Sequence, residues 1–165
     1  MAIKARHHGV RLRPHVKTHK CAEAARYQVE EHFGGITVST LAEAEFFAQQ
    51  GFRDITYAVP ISQGKVARAC ALAQSISQLH LLVDHPDLIP VLGAAAATHG
   101  IQLSVLIKID CGYHRAGLRP TDPRLVPLAR SIHLHPNLDL EGVLTHAGHS
   151  YDCTGEDALK AVAAQ

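Results

Sequence analysis

Residues 79–109 read L-H-L-L-V-D-H-P-D-L-I-P-V-L-G-A-A-A-A-T-H-G-I-Q-L-S-V-L-I-K-I, and this one stretch decides the fold class. Leu79–Val83 and Leu103–Ile109 are runs of leucine and β-branched residues of strand length. Between them Asp84 stands as a candidate helix N-cap with Pro86 just inside the helix, and the alanine- and leucine-rich segment that follows closes at Gly100. Strand, helix and strand in this order make a βαβ unit, whose two strands run parallel. The unbroken apolar character of Leu103–Ile109 suits a strand covered on both faces.

The same alternation continues in both directions. Upstream, Leu12–Thr18 reads as a first strand and Ala22–His32 as a helix stopped by the Gly34-Gly35 pair. Ile36–Ser39 reads as a second strand. Thr40 and Glu43 form a capping-box pattern that opens a helix ending at Gly51. Asp54–Val59 is a third strand ended by Pro60, and Lys65–Gln74 is a helix. Downstream, Leu140–Thr145 is a further strand and Glu156–Gln165 begins another helix, while Met1–Gly9 reads as the tail of a helix. The class is α/β, with about six βα units. A complete (β/α)8 barrel of the TIM type needs about 250 residues, so the reading is a partial barrel, cut before its last two units. A doubly wound open sheet is the alternative, but no G-x-G-x-x-G follows the first strand.

With 165 residues, 47% of them hydrophobic and 19% charged, the chain has the material for one globular core. Sixteen basic against 15 acidic side chains leave a net charge of +1, which indicates no polyanion-binding face and excludes nucleic acid as the expected partner. No apolar run approaches the roughly 20 residues that span a bilayer, and Met1–Gly9 is too polar for a signal peptide; a cytoplasmic protein without a membrane partner is expected. Cys21, Cys70, Cys111 and Cys153 are scattered and form no C-x-x-C, so they read as reduced thiols. Thirteen histidines invite a metal-hydrolase reading through His15 and His19 or His146 and His149, yet neither pair is the alternating H-x-H that aims two rings the same way from one strand.

In parallel barrels the working residues gather at the carboxyl ends of strands. Three segments there carry chemistry: His15–Lys20, Asp110–Arg115 and Thr145–Tyr151. A lysine in a barrel mouth beside other cations is pushed toward its neutral, nucleophilic amine, and Lys17 has Arg13, Lys20, His15 and His19 near it in sequence. It is therefore a Schiff-base candidate, the other reading being a basic, solvent-facing rim. Gly112 permits a chain reversal beside a ligand, and Arg115 offers a fork of donors to an oxyanion or is a surface arginine. His146 and Tyr151 could stack on an aromatic ring and donate a hydrogen bond, or are satisfied polar groups of a loop.

The string Arg13-Pro14-His15-Val16-Lys17-Thr18-His19-Lys20 resembles the lysine motif of the D-serine dehydratase and D-threonine aldolase group, relatives of the alanine racemase fold. Asp110-x-Gly112-x-x-Arg115-x-Gly117 and Thr145-His146-Ala147-Gly148-His149-Ser150-Tyr151 are similar to that group in order and spacing, so the likeness runs along nearly the whole chain. The resemblance implies that residues 1–165 are an incomplete N-terminal barrel domain binding pyridoxal phosphate. It further implies that Lys17 carries the cofactor as a Schiff base, that Arg115 hydrogen-bonds it near the phenolic oxygen or ring, that His146 lies against the pyridine ring and that Tyr151 approaches it. It implies a lyase acting on a small D-β-hydroxy amino acid, by dehydration or by aldol cleavage. In the full-length form it implies a homodimer, a C-terminal β-domain and a divalent metal whose ligands lie outside this chain. Two other roles remain: a non-catalytic pyridoxal-phosphate-binding protein, and an inert fragment whose unpaired strand edges drive self-association.

Overall fold

The computed structural model describes residues 2–30 and 33–164. Five strands form one sheet: β1 (Ile36–Val38), β2 (Asp54–Pro60), β3 (Gln78–Val83), β4 (Leu103–Ile109) and β5 (Leu138–Thr145). All neighbouring pairs are parallel, and the order across the sheet is the order in the chain. A doubly wound sheet reverses its strand order at a switch point, whereas a barrel wall never does; the open-sheet alternative fails on this ground, and the fold is part of a (β/α) barrel. Helices α3 (Leu41–Gln49), α4 (Val66–Ala73), α5 (Leu88–His99) and α6 (Leu125–His133) make the crossovers, preceded by α1 (Ala2–His7) and α2 (Ala22–Val29) and followed by α7 (Glu156–Ala163). Among the described residues no helix is long and apolar enough to cross a membrane.

The elements begin and end where side-chain chemistry places them. Thr40 accepts the Glu43 N–H at 3.0 Å while the Glu43 carboxylate accepts from Thr40 N, closing the expected capping box at the start of α3. Gly100 takes the left-handed conformation (φ 63°) that ends α5. One face of the sheet is apolar: Ile36, Val38, Ile55, Tyr57, Leu81, Val105 and Ile107 are fully buried in a single cluster with Phe47 of α3, Ala69 and Cys70 of α4, Leu92 of α5 and Ile132 of α6. Because strand side chains alternate, the intervening positions face the other way, and there the sheet carries Thr56, Gln78, His80, Ser104 and Lys108.

That inner face holds a charged network. Arg13 grips Asp54 with its two terminal guanidinium nitrogens, at 2.6 and 3.0 Å. His80 Nε2 lies 3.1 Å from Asp54 Oδ1, and its Nδ1 is 2.9 Å from Glu141 Oε2, off the hydrogen-bond axis. Gln78 donates to Glu141 at 2.6 Å and, from β3, to Ser104 of β4. Burial alone would raise the Asp54 carboxyl, but hydrogen bonds from His80 and Arg13 hold it at about 2.

Four sequence expectations are corrected. The sheet has five strands rather than six, because Leu12–Thr18 is no full strand: His15 makes a single bridge to Thr37, with Val16 N–H donating to Thr37 O and Thr37 N–H to Pro14 O. Pro14 has no N–H to extend a ladder, and the chain turns at once, Lys20 N–H reaching back to Val16 O. Asp84 is not a cap; α5 starts at Leu88, and the Asp84 carboxylate instead accepts the Gly117 N–H at 3.2 Å. Helix α2 ends at Val29, so its expected stretch through Glu30 is not helical, while residues 31 and 32 lie outside the described residues. Helix α7 ends at Ala163, and the expected end at Gln165 also lies outside them.

Candidate active site

At the carboxyl ends of the strands the sheet opens into a cleft of about 470 Å³. Thr37 and Ser39 line it from β1 and its end, Ala58 to Pro60 from β2, Lys108 from β4, and Leu144 and Thr145 from β5; Arg13, His15, Lys17, Arg115, Ala116 and His146 complete the wall. A small hollow of Lys108, Asp110, Tyr113, Arg115 and His146 adjoins it, and further concavities lie among the helices. One of about 500 Å³ between α3 and α4 is lined by Arg68 and Glu45, already bonded to each other.

Lys17 is exposed at the cleft edge, on the turn that follows the His15–Thr37 bridge. That turn is pinned at both ends. The Lys17 N–H donates to His15 Nδ1 at 3.3 Å, and Lys20, in the left-handed region at φ 47°, sets its ammonium 3.0 Å from Glu43 Oε1. Glu43 also accepts the Ser39 N–H at 2.7 Å. Burial pushes the Glu43 carboxyl up, but the Ser39 amide and Lys20 outweigh it and leave it below the usual range. The capping box of α3 thereby ties the lysine turn to the end of β1.

Arg115 sits on an excursion closed by a second bridge: Leu118 N–H donates to Lys108 O and Asp110 N–H to Leu118 O, both at 2.9 Å. Asp110 organises the loop from within, accepting the Gly112 and His114 amides, and the hydrogen bonds from His114 hold its carboxyl at about 2. The Arg115 guanidinium lies over the Tyr113 ring at 5.3 Å, the Tyr113 and His146 rings meet edge-on at 5.7 Å, and the Tyr151 ring lies tilted at 6.1 Å from that of His146. Gly148 permits this stack, since a Cβ there would meet the Tyr113 ring at 2.6 Å.

Lys17, Arg115 and His146 thus converge on one cleft. Tyr151 does not line it; the residue is 78% exposed and touches the site through the His146 ring. Burial, followed by the charges of Arg115, Lys108 and Lys17, pushes the His146 ring below the usual imidazole range. Lys108 is a lining residue that the sequence reading missed. It is 4% exposed, its burial lowers its amine, and among the described residues its ammonium has no hydrogen-bond or ion-pair partner. The signal was present in the lone cation at the end of the otherwise apolar L-S-V-L-I-K-I run. Among the described residues no three His, Cys, Asp or Glu side chains gather as a metal site, so nothing here favours the hydrolase reading.

The chain has well-matched relatives. The D-serine dehydratase of Dictyostelium discoideum is 38% identical over 94% of this chain and 42% of its own length. The D-threo-3-hydroxyaspartate dehydratase of Delftia sp. HT23 is 41% identical over 94% of this chain and 41% of its own. Its solved structure superposes with a TM-score of 0.91 at 40% identity, covering 98% of this chain and 42% of that one. A structure of a variant of that enzyme in the metal-free form also superposes at 0.91, with 39% identity and the same coverage. The chain spans about two-fifths of the length of these relatives. The family profile described as the N-terminal domain of alanine racemase matches residues 1–165 from end to end. With its sequential parallel sheet, its cleft at the strand ends and this match, the chain belongs to the alanine racemase N-terminal domain family.

Proposed function

We propose that residues 1–165 form the pyridoxal-phosphate-binding part of a lyase acting on small D-β-hydroxy amino acids, with Lys17 as the attachment residue. The observation that carries this reading is the donor set of the cleft. Lys17, Lys108 and Arg115 line it, none of their side chains has a carboxylate partner among the described residues, and the lining contains no acid. Arg13 is different, its charge being taken up by Asp54. A ligand with a phosphate and a phenolate oxygen suits such a wall, because charge-assisted bonds to cations are the strong ones. Bound there, the cofactor supplies an electron sink that weakens the bonds at the substrate's Cα.

The chain's own residues do the rest. Lys17 would hold the cofactor through its amine and, when that amine is free, would accept the Cα proton. Arg115 would hold the phenolic oxygen or ring edge, His146 would lie against the pyridine ring, and Tyr151 would approach the cofactor from beside the His146 ring. The relatives named as dehydratases, and the D-threonine aldolase of Arthrobacter at 30% identity, support the lyase class and the D-amino acid substrate. Homodimer formation and a divalent metal held outside this chain belong to the same proposal.

The test is the absorbance spectrum of the chain mixed with pyridoxal phosphate, with and without borohydride, followed by mass analysis of the peptide that retains the reduced group. The expected result is a borohydride-fixed band whose label sits on the Lys17 peptide and is lost in Lys17→Ala. A label on Lys108 or Lys20, or a band unchanged in the variant, overturns the assignment.

A further inference from the structure

Two residues before Lys17, on the same wall of the cleft, stands a histidine whose hydrogen bonds are specified by its surroundings. His15 Nδ1 receives the Lys17 backbone N–H at 3.3 Å, and its Nε2 lies 3.4 Å from Ser39 Oγ. A backbone amide can only donate, so Nδ1 carries no proton and the neutral ring is protonated at Nε2, where it donates to the Ser39 hydroxyl. We propose that His15 is the positioning residue for Lys17, its neutral ring fixing the turn that presents the amine to the cleft. This inference rests on the reading of Lys17 as the attachment residue.

The turn has few other supports on that side. Val16 is buried and its N–H is spent on Thr37 O, and the next anchors are His19, whose ring meets Gln28 at 3.0 Å, and Lys20, whose N–H returns to Val16 O and whose ammonium pairs with Glu43. Residues 17 and 18 are exposed, and the only bond holding the Lys17 amide among the described residues is the one to His15. The ring is itself anchored through Ser39, whose own amide is held by Glu43 at the start of α3. Strand end, helix cap and lysine turn therefore meet at one imidazole.

Protonation inverts this arrangement. With a proton on Nδ1 the ring would face the Lys17 N–H donor to donor, and the attraction that fixes the turn becomes a repulsion. The charged groups around the ring decide when this happens: Lys17 on its own turn, Glu43 from α3 and His146 from the segment after β5. Burial, then Lys17, push the imidazole below its ordinary value; Glu43 opposes them, and His146 adds to the lowering. The ring is neutral at neutral pH and becomes charged only in acid.

The test uses the full chain and has one arm that needs no cofactor. In nitrogen-15 NMR, His15 is expected to show the neutral form protonated at Nε2, and the Lys17 amide resonance is expected to move along the His15 titration curve. In the second arm, the borohydride-fixed pyridoxal-phosphate band is followed against pH in three proteins. Asparagine at 15 keeps an acceptor for the amide two residues on, as an Asx-turn does, but does not titrate. His15→Asn should therefore hold the band at acid pH values where the wild type has lost it. His15→Ala should attach the cofactor about five-fold more weakly at every pH, as befits one modest hydrogen bond, with a melting temperature lowered by no more than about 2–4 °C. The proposal is overturned if the Lys17 amide ignores the His15 titration, or if His15→Asn shares the wild-type acid limb. If no protein forms the band, the attachment reading fails instead, and the NMR arm still decides whether His15 holds the turn.

Discussion

Gly117→Ala should loosen the Arg115 loop and the end of β4 together. Gly117 has φ +105°, where a side chain is strained whatever the space, and a Cβ built on it would lie 2.8 Å from Lys108 O and 2.9 Å from both Asp110 N and Ile109 C. The first distance is about 0.6 Å short of the 3.4 Å at which ordinary contact begins, and the atoms in the way are backbone that cannot rotate aside. Lys108 O is also the acceptor for Leu118 N–H, and Gly117 N–H is the donor to Asp84, so any shift opens the bridge that closes the loop. A left-handed alanine costs about 1–2 kcal/mol, and relieving the overlap about 1–3 kcal/mol more. A total of about 3 kcal/mol lowers the melting temperature of a chain this long by about 6–12 °C. The assay is thermal unfolding followed by circular dichroism, with pyridoxal-phosphate attachment measured well below the transition. Attachment should weaken even where the protein is folded, because Arg115 has moved. A melting temperature within 2 °C of the wild type, with attachment intact, would refute this account of the bridge.

Two further outcomes follow from the ion pairs. The Asp54 carboxyl is held at about 2 against 3.8 for the free group, so the stability it contributes is present above pH 3.8 and is lost as the pH falls through 2. The difference in urea-unfolding free energy between wild type and Asp54→Asn should accordingly be constant near neutrality, at most about 2 kcal/mol from the pKa shift, and should shrink between pH 4 and 2; a difference independent of pH across that range speaks against the Arg13 and His80 contacts. Glu43→Ala removes the capping box, the Ser39 anchor and the Lys20 partner at once. It should lower the unfolding free energy by about 1–2 kcal/mol and weaken pyridoxal-phosphate attachment, whereas a loss of stability without any change in attachment would disconnect α3 from the lysine turn.

Much of the fold was legible because the strands with apolar runs are long and well punctuated. Asp54–Val59, Leu79–Val83 and Leu103–Ile109 lie within a residue of β2, β3 and β4, each closed by proline, glycine or a charged residue. Leu12–Thr18 misled because its composition suits a strand, while Pro14 and the turn at Val16–Lys20 limit it to one bridge. Helix α6 was not read, since Pro127 within it and the histidines at its C-terminal end obscure the apolar stripe of Leu128 and Ile132 that it buries. Asp84 carries a genuine capping side chain, but a loop amide 33 residues away claims it, and no local rule sees that competitor. At the site, the conspicuous clusters pointed to Lys17, Arg115 and His146, which line one cleft. Lys108 stayed hidden because a single cation within a hydrophobic strand betrays its surroundings only once the inner face is known to be polar.

That polar inner face also bears on how the strands find their alignment. Parallel strands with apolar runs on one side are poorly distinguished from neighbours shifted along the chain, because leucine replaces isoleucine at little cost. Here Asp54 lies opposite Gln78, Thr56 opposite His80, and His80 opposite Ser104. Sliding β3 by one residue would present Leu79 or Leu81 to Arg13 and Asp54 and would bury His80 among the helices. Such a shift separates the His80 ring from Asp54 and leaves it without a partner among apolar side chains, a loss of about 1–3 kcal/mol. The network thus adds a polar penalty to odd shifts, which the alternation of apolar positions already opposes, and it also marks even shifts, a discrimination the hydrophobic positions alone make only weakly.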